Sequence, residues 1–301
     1  MDELFRRYMY YVVAKRSSRE SITNSIRSFY EKQDYKLLRV EHEYTFANLK
    51  ALANFWNDVY IQNETIFSER VLKRLFVLNF APNTVWTYIV PVYFLHCRKP
   101  DNTLDEVKFH NLLSKITAFI WGYTILTSRG IDALRIPAFG EMVNIIHNKQ
   151  VNFEAYKFDI EDLRYRLKKY NFSGAKKITR SMLAWRAFQF EEQELIPITT
   201  PIDVEHICTY YTGINSEIYE SLGNKSFIEK KIRDITKTFS FGDKRRYYTD
   251  IIYLKKKGTQ IFELKNLAEA ESDFTALDAA ERNEEIIENF IHFIKVNNLA
   301  K

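Results

Sequence analysis

Hydrophobic positions recur at helical spacing through the first 190 residues of the chain. Apolar residues that lie three and four positions apart share one face of a helix, so this pattern predicts a series of amphipathic α-helices. Pro91 falls inside one of these segments and is expected to kink it. The clearest predicted helical segments are residues 71–78, 86–97, 109–123, 138–147 and 160–170.

The pattern changes after Gln193. Residues 195–207 are rich in β-branched side chains, contain two prolines, and predict a short strand or hairpin. A polar loop at 208–223 follows, and the chain then returns to helical spacing. The predicted helices of this region are residues 225–235, 242–257 and 279–297. The sequence therefore predicts a mainly α fold: a helical domain at 1–175 and a small α+β domain at 176–301 that ends in a helix.

Composition supports a helical protein. The chain has 8 glycines and 6 prolines in 301 residues, too few turn-forming residues for a protein of many short strands. The motifs G-x-x-x-x-G-K-[ST] and G-x-G-x-x-G do not occur in the sequence, which excludes P-loop and Rossmann nucleotide sites. Two cysteines and no signal-like or membrane-spanning apolar run predict a cytoplasmic protein.

Positive charge is concentrated in two segments. Residues 163–186 carry +8 with no acidic residue, and residues 225–257 carry +7. Since the whole chain carries +5, the remaining residues sum to −10. Clustered bases beside an acidic body are typical of proteins that bind a polyanion, although solvated helix faces explain either cluster alone equally well.

The candidate chemistry lies beside the second basic segment. Glu205 and His206 stand together at the end of the predicted strand, and Asn224 follows 18 residues after His206. An imidazole is a suitable base for activating water at neutral pH. A carboxylate can bind a hard divalent cation, which would stabilise charge on a phosphate during hydrolysis. An amide can hold the imidazole in one tautomer or orient its loop. This combination is typical of an HNH, or ββα-metal, nuclease.

A longer stretch, residues 202–251, resembles the C-terminal HNH domain of GmrSD-type modification-dependent restriction endonucleases. The family pattern I-E-H-I-x-P is similar to residues 204–207 (VEHI), and its I-G-N-L to 222–224 (LGN). Its E-K-x-I-N helix and F-x-x-K-x-x-Y-Y are similar to 229–233 (EKKIR) and 241–248 (FGDKRRYY). Outside this stretch, Arg282 resembles the arginine that begins the family's last helix, and the aromatic-rich helices before residue 170 resemble its connecting helical region.

Three positions depart from the family pattern. Thr209 replaces a proline, and Lys225 and Ser226 replace apolar or small residues after the G-N pair. Arg233 stands nine residues after Asn224, where the family has an asparagine that is expected to bind metal. An arginine cannot ligate a cation. Arg233 would then pair with the phosphate instead, the metal would rest on other groups, or the site would be degenerate.

The resemblance implies a DNA endonuclease subunit of an anti-phage restriction system that uses Mg²⁺ or Mn²⁺. In this interpretation His206 is the general base, Asn224 the orienting residue, Glu205 a metal ligand, and Arg233 a phosphate contact. The family's nucleotide-hydrolysing D-G-Q-Q-R motif does not occur in the sequence, so a separate partner that carries it is implied. The alternative is a catalytically degenerate protein that binds DNA or a partner. The predicted DNA-binding residues are Lys225, Lys230, Lys231, Lys244, Arg245 and Arg246.

Overall fold

A computed structural model describes most of the chain, and its helices dominate the fold. The described residues are 2–17, 26–31, 37–127, 134–209, 216–250, 256–270 and 272–301. These residues contain fourteen α-helices and two β-strands, which confirms the mainly α prediction. None of the described helices is both long and apolar enough to cross a membrane.

The helices of the first half follow the predicted stripes closely. Pro91 lies in the interior of the fifth helix, which runs on both sides of it. The helices are α1 (Asp2–Lys15), α2 (Ile26–Glu31), α3 (His42–Tyr60), α4 (Glu69–Asn79), α5 (Trp86–Cys97), α6 (Glu106–Leu126), α7 (Arg135–Ile146), α8 (Ile160–Lys169) and α9 (Lys177–Ala187).

The second half holds both strands and the remaining helices. The strands are β1 (Ile202–His206) and β2 (Lys225–Glu229), and the helices are α10 (Ser216–Tyr219), α11 (Lys230–Thr236), α12 (Phe241–Tyr248), α13 (Phe262–Glu269) and α14 (Ala276–Val296). The final helix was predicted correctly, and it begins three residues earlier than the apolar pattern indicated. A capping box between Thr275 and Asp278 fixes this start.

The chain divides into two compact units, each built from several segments. Unit 1 comprises Met1–Leu72, Asn83–Phe119 and Ser128–Lys157. Its core contains an aromatic cluster in which the ring of Phe55 lies 4.5 Å from that of Phe94 and 5.7 Å from that of Phe67.

Unit 2 comprises Lys73–Pro82, Ile120–Thr127 and Phe158–Lys301, so the division predicted at residue 175 falls inside it. Trp121 is fully buried here, and its indole N–H donates to the Ser181 hydroxyl at 3.0 Å. Ser181 in turn donates to the Val77 carbonyl at 2.9 Å. These bonds connect all three segments of unit 2.

The two strands pair antiparallel, and α11 begins at the residue after β2. Ile202 lies opposite Glu229, and His206 lies opposite Lys225. The prediction of a helix from residue 225 was wrong at its first five positions. Residues 225–228 are buried consecutively, on both faces of the strand, and this burial suits a strand covered on two sides rather than the single apolar stripe of a surface helix. The helix predicted at 242–257 ends at Tyr248, and residues 251–255 lie outside the described residues.

Candidate active site

His206 occupies the last position of β1, where its ring is half-buried. The imidazole stacks on the ring of Tyr219, with centroids 4.3 Å apart and planes within 4° of parallel. Its Nε2 atom has no hydrogen-bond partner among the residues that the structure describes. The Glu220 Oε1 atom lies 3.7 Å from it. The side chain is 22 % exposed, and the Nε2 atom itself is buried; because this nitrogen has no hydrogen-bond partner, it can accept a proton.

The surroundings keep this imidazole neutral. Burial lowers the pKa of His206 to about 4, and the nearby ammonium of Lys225 acts in the same direction, while Glu220 opposes both. Lys225 is fully buried and forms an ion pair with Glu220 at 2.6 Å. The positive charge of Lys225 therefore reaches the imidazole at short range, and His206 is in its proton-accepting form at neutral pH.

Asn224 holds the backbone that follows His206. Its buried side chain accepts from the Cys208 N–H at 2.7 Å and donates to the Cys208 carbonyl at 3.1 Å and the Tyr219 carbonyl at 3.3 Å. The backbone carbonyl of Asn224 also accepts from the N–H of Ile207 at 2.9 Å. Of the two roles considered for the amide, orienting the loop is the one that these contacts support.

Helix α14 clamps the turn that carries Asn224. A Cβ atom on Gly223 would lie 1.9 Å from the Ala279 carbonyl oxygen, so only glycine fits against this helix. Arg282 donates from one nitrogen to the carbonyls of Leu222, Gly223 and Lys225 at 2.8–2.9 Å. The arginine that the sequence comparison singled out thus fixes the turn before β2.

Glu205 points to the opposite face of β1 from His206, as alternation along a strand requires. Its carboxylate is 1 % exposed and forms an ion pair with Lys244, and it accepts from the Tyr248 hydroxyl at 3.2 Å. The Lys244 ammonium donates to the backbone carbonyl of His206 as well. Burial raises the pKa of the Glu205 carboxyl and lowers that of the Lys244 ammonium, while each partner's opposite charge works against both shifts.

These residues do not fit the metal site predicted from the resemblance. The carboxylate of Glu205 is turned away from the imidazole, and a lysine ammonium already holds it. Within the part of the chain that the structure describes, no group of three His, Cys, Asp or Glu side chains could hold a metal ion. The Lys244 ammonium contacts the Glu205 carboxylate and the His206 carbonyl, two oxygens of the kind that a hard cation prefers.

Arg233 lies along β1 rather than in open solvent. Its Nε donates to the Val204 carbonyl at 3.0 Å, and its terminal nitrogen lies 3.4 Å from the Asp203 carboxylate. Arg180 pairs with the same carboxylate at 3.2 Å. The predicted phosphate contact by Arg233 would therefore compete with an ion pair inside the protein.

The predicted DNA-binding residues separate into exposed and buried side chains. Lys225 and Lys244 are both fully buried in ion pairs, so we assign them to holding the site together rather than to phosphate. Arg245 is half-buried and donates to the Ser272 carbonyl. The exposed members of the set are Lys230, Lys231 and Arg246.

Acidic side chains neutralise much of the basic segment at 163–186. Five of its eight bases lie within ion-pair distance of a carboxylate, and three of the acids are on α14. The pairs are Arg164–Glu288, Arg166–Asp162, Lys168–Glu284, Arg180–Asp203, Arg186–Glu263 and Arg186–Glu285. Lys169, Lys176 and Lys177 are the bases of this segment without a carboxylate partner among the described residues, so the segment presents far less positive charge than its count indicated.

Sequence reasoning missed two residues beside the imidazole. Tyr219 supplies the ring under His206, and Glu220 approaches its Nε2 atom. Both lie within the polar loop predicted at 208–223, which has no recognisable motif, and their distance from His206 along the chain carries no periodic signal. Only the pairing of β1 with β2 brings them to the imidazole.

Comparison with family models, with curated proteins and with solved structures finds no match to this chain. The resemblance to GmrSD-type nucleases therefore stays a prediction that rests on the quoted motifs.

Proposed function

We propose that this chain binds DNA and hydrolyses its phosphodiester bonds, with His206 as the general base. One observation carries the proposal: two antiparallel strands and the helix that follows them hold a half-buried, neutral imidazole whose Nε2 atom has no hydrogen-bond partner among the described residues. Asn224 and Lys244 both bind backbone atoms next to His206. A rigid backbone keeps a catalytic base at a constant distance from its substrate, as efficient proton transfer requires.

In the proposed reaction, Nε2 of His206 takes a proton from a water molecule as that water attacks phosphorus. The P–O bond to the sugar oxygen opposite the water breaks, and the departing oxygen takes a proton from solvent. Lys230 and Lys231, exposed at the first turn of α11, would hold the DNA backbone. Glu205 does not touch the substrate in this scheme. It is a positioning residue, since its ion pair with Lys244 fixes the carbonyl of His206.

A second candidate function is DNA or partner binding without catalysis. The observation that favours it is that both carboxylates on the face of β1 opposite His206 already form ion pairs. Lys244 pairs with Glu205, and Arg233 and Arg180 pair with Asp203. A nuclease that has lost its metal ligands would retain the fold and the exposed bases while losing hydrolysis.

A nicking assay on supercoiled plasmid DNA distinguishes the two candidate functions. The chain should nick it above the background of the His206→Ala variant in at least one of three reactions, containing Mg²⁺, Mn²⁺ or EDTA. These reactions also test the divalent metal that the resemblance predicts. DNA binding without nicking in all three would favour the non-catalytic candidate. An anti-phage role in the cytoplasm and a D-G-Q-Q-R partner remain further proposals from the resemblance alone.

Salt dependence should identify the residues that contact phosphate. Each neutralised phosphate releases counterions, which adds about −0.9 to the slope of log K against log salt. Replacing Lys230, Lys231 and Arg246 together by alanine should flatten that slope by about two to three units on any DNA sequence. Fluorescence anisotropy between 50 and about 200 mM salt gives the slope.

The matched control replaces the three exposed bases Arg39, Lys50 and Lys99 of unit 1. It removes the same charge from the chain and should leave the slope almost unchanged. Equal flattening by both triple variants would mean that only net charge attracts DNA.

A further inference from the structure

A cavity in unit 1 is lined by three lysines. Its volume is about 450 Å³, within the range of about 300–1,000 Å³ that is usual for small-molecule sites. Helix α5 lines it with Tyr93 and Cys97, and the turn after α7 adds Lys149. The complete lining is Tyr93, Cys97, Lys108, Asn111, Leu112, Lys115, Ile145, Asn148, Lys149, Gln150 and Val151.

The lining that α6 contributes forms one face of that helix. Lys108, Asn111, Leu112 and Lys115 occupy positions i, i+3, i+4 and i+7. The two lysines are thus about 10 Å apart along the helix axis. Lys108 and Asn111 are exposed, whereas Leu112 and Lys115 are buried, so this stripe places two lysines on one wall of the cavity, one exposed and one buried.

The lining of this cavity carries three positive charges and no negative one. Lys108, Lys115 and Lys149 have no ion pair with a carboxylate in the part of the chain that the structure describes, and no acidic residue is among the lining side chains. Lys115 is only 9 % exposed. The acid whose charge reaches it, Glu141, already accepts from the backbone N–H of Phe153 at 2.8 Å.

Burial lowers the pKa of the Lys115 ammonium, and an anionic ligand would oppose that shift because it favours the charged form. The other lining residues are apolar or carry neutral amides, so they suit an uncharged portion of the same ligand. Tyr93, Leu112, Ile145 and Val151 offer apolar surface, and the side-chain amides of Asn111, Asn148 and Gln150 offer both donors and acceptors.

We propose that this cavity binds an organic phosphate of about nucleotide size, with its phosphate on Lys108, Lys115 and Lys149. The body of the ligand lies against Tyr93 and the apolar side chains. This site belongs to unit 1 and does not depend on the function proposed for His206.

Calorimetric titration with AMP, ADP, adenosine and inorganic phosphate tests the site on the full chain. AMP and ADP should bind, and adenosine should bind at least about tenfold more weakly, a difference of 1.4 kcal/mol. The double variant Lys108→Gln, Lys149→Gln should weaken AMP binding by about tenfold or more. Both lysines are exposed, so these substitutions should leave folding intact, which circular dichroism can verify.

The matched control is Lys50→Gln, Lys99→Gln, which removes two exposed lysines that do not line the cavity. It should bind AMP as the unmodified chain does. Any of three results overturns the proposal: no binding of AMP or ADP, adenosine binding equal to AMP binding, or equal losses in the two double variants. If inorganic phosphate bound as tightly as AMP, the proposal that the cavity also binds the organic body of the ligand would be wrong.

Cys97 offers an independent readout in the same cavity. Burial raises the pKa of both thiols, but Cys97 is exposed, whereas Cys208 is buried and has a pKa of about 11. Iodoacetamide should therefore label Cys97 first, and saturating AMP should slow that labelling at least several-fold. An unchanged labelling rate in the presence of AMP would show that the nucleotide binds elsewhere, and the proposal would fail.

Discussion

Replacing Lys244 by methionine should lower the free energy of unfolding by about 3–5 kcal/mol. The substitution keeps an unbranched side chain that is one atom shorter, but it leaves the buried carboxylate of Glu205 without the ammonium of its ion pair. It also removes the donor that the His206 carbonyl uses. Urea denaturation followed by circular dichroism measures the loss, and Lys230→Met, at an exposed position in the same region, should change the unfolding free energy by less than about 0.5 kcal/mol.

The double variant Lys244→Met, Glu205→Gln tests the cause of that loss. A neutral amide at residue 205 has no charge to compensate, and it can still accept from the Tyr248 hydroxyl. We therefore expect the second substitution to recover at least half of the lost stability. A double variant as unstable as the sum of its single variants would show that the two charges do not interact.

Replacing His206 by alanine should reduce plasmid nicking by about 10²–10⁴-fold, the usual contribution of a general base. DNA binding should change little, because the imidazole activates water in the proposed reaction and holds no phosphate. A gel assay measures the rate, and anisotropy measures the binding. His292→Ala provides the control, since His292 is an exposed histidine on α14.

The pH profile of the unmodified chain gives a second measure of this role. Because the pKa of His206 is lowered to about 4, the imidazole stays neutral well below the pH at which an exposed histidine protonates. The acid limb of kcat/KM should therefore lie nearer pH 4 than pH 6.5. An acid limb at pH 6.5 or above, or unchanged nicking by His206→Ala, would contradict the assignment of His206 as the base.

Local patterning was enough to predict most helices of this protein. The stripes that predicted helices at 86–97 and 160–170 correspond to α5 and α8. A helix that buries one face has apolar residues at intervals of three and four, and this spacing is visible in the sequence. The same reasoning failed at residues 225–229. A strand covered on both faces has no alternation of polar and apolar residues, so its sequence lacks the signal that distinguishes it from a helix.

The sequence also determined which residues could meet at the candidate site. A histidine at a strand end and a G-N pair 17–18 residues later are local features, and antiparallel pairing places them side by side. The G-N motif marks residue 223 as a glycine but gives no reason for it. The reason is the close approach of α14, which leaves no room for a Cβ atom.

Only the tertiary structure decided what the charged side chains do. Counting bases by segment treats each one as exposed, yet Lys225 and Lys244 are fully buried. Their partners, Glu220 and Glu205, come from other elements, and the partners of the bases at 163–186 lie up to 124 residues away along the chain, as Glu288 does from Arg164. Because the energy of a charge depends on its distance from other charges and on its exposure to water, no count along the chain could distinguish a phosphate contact from a buried ion pair.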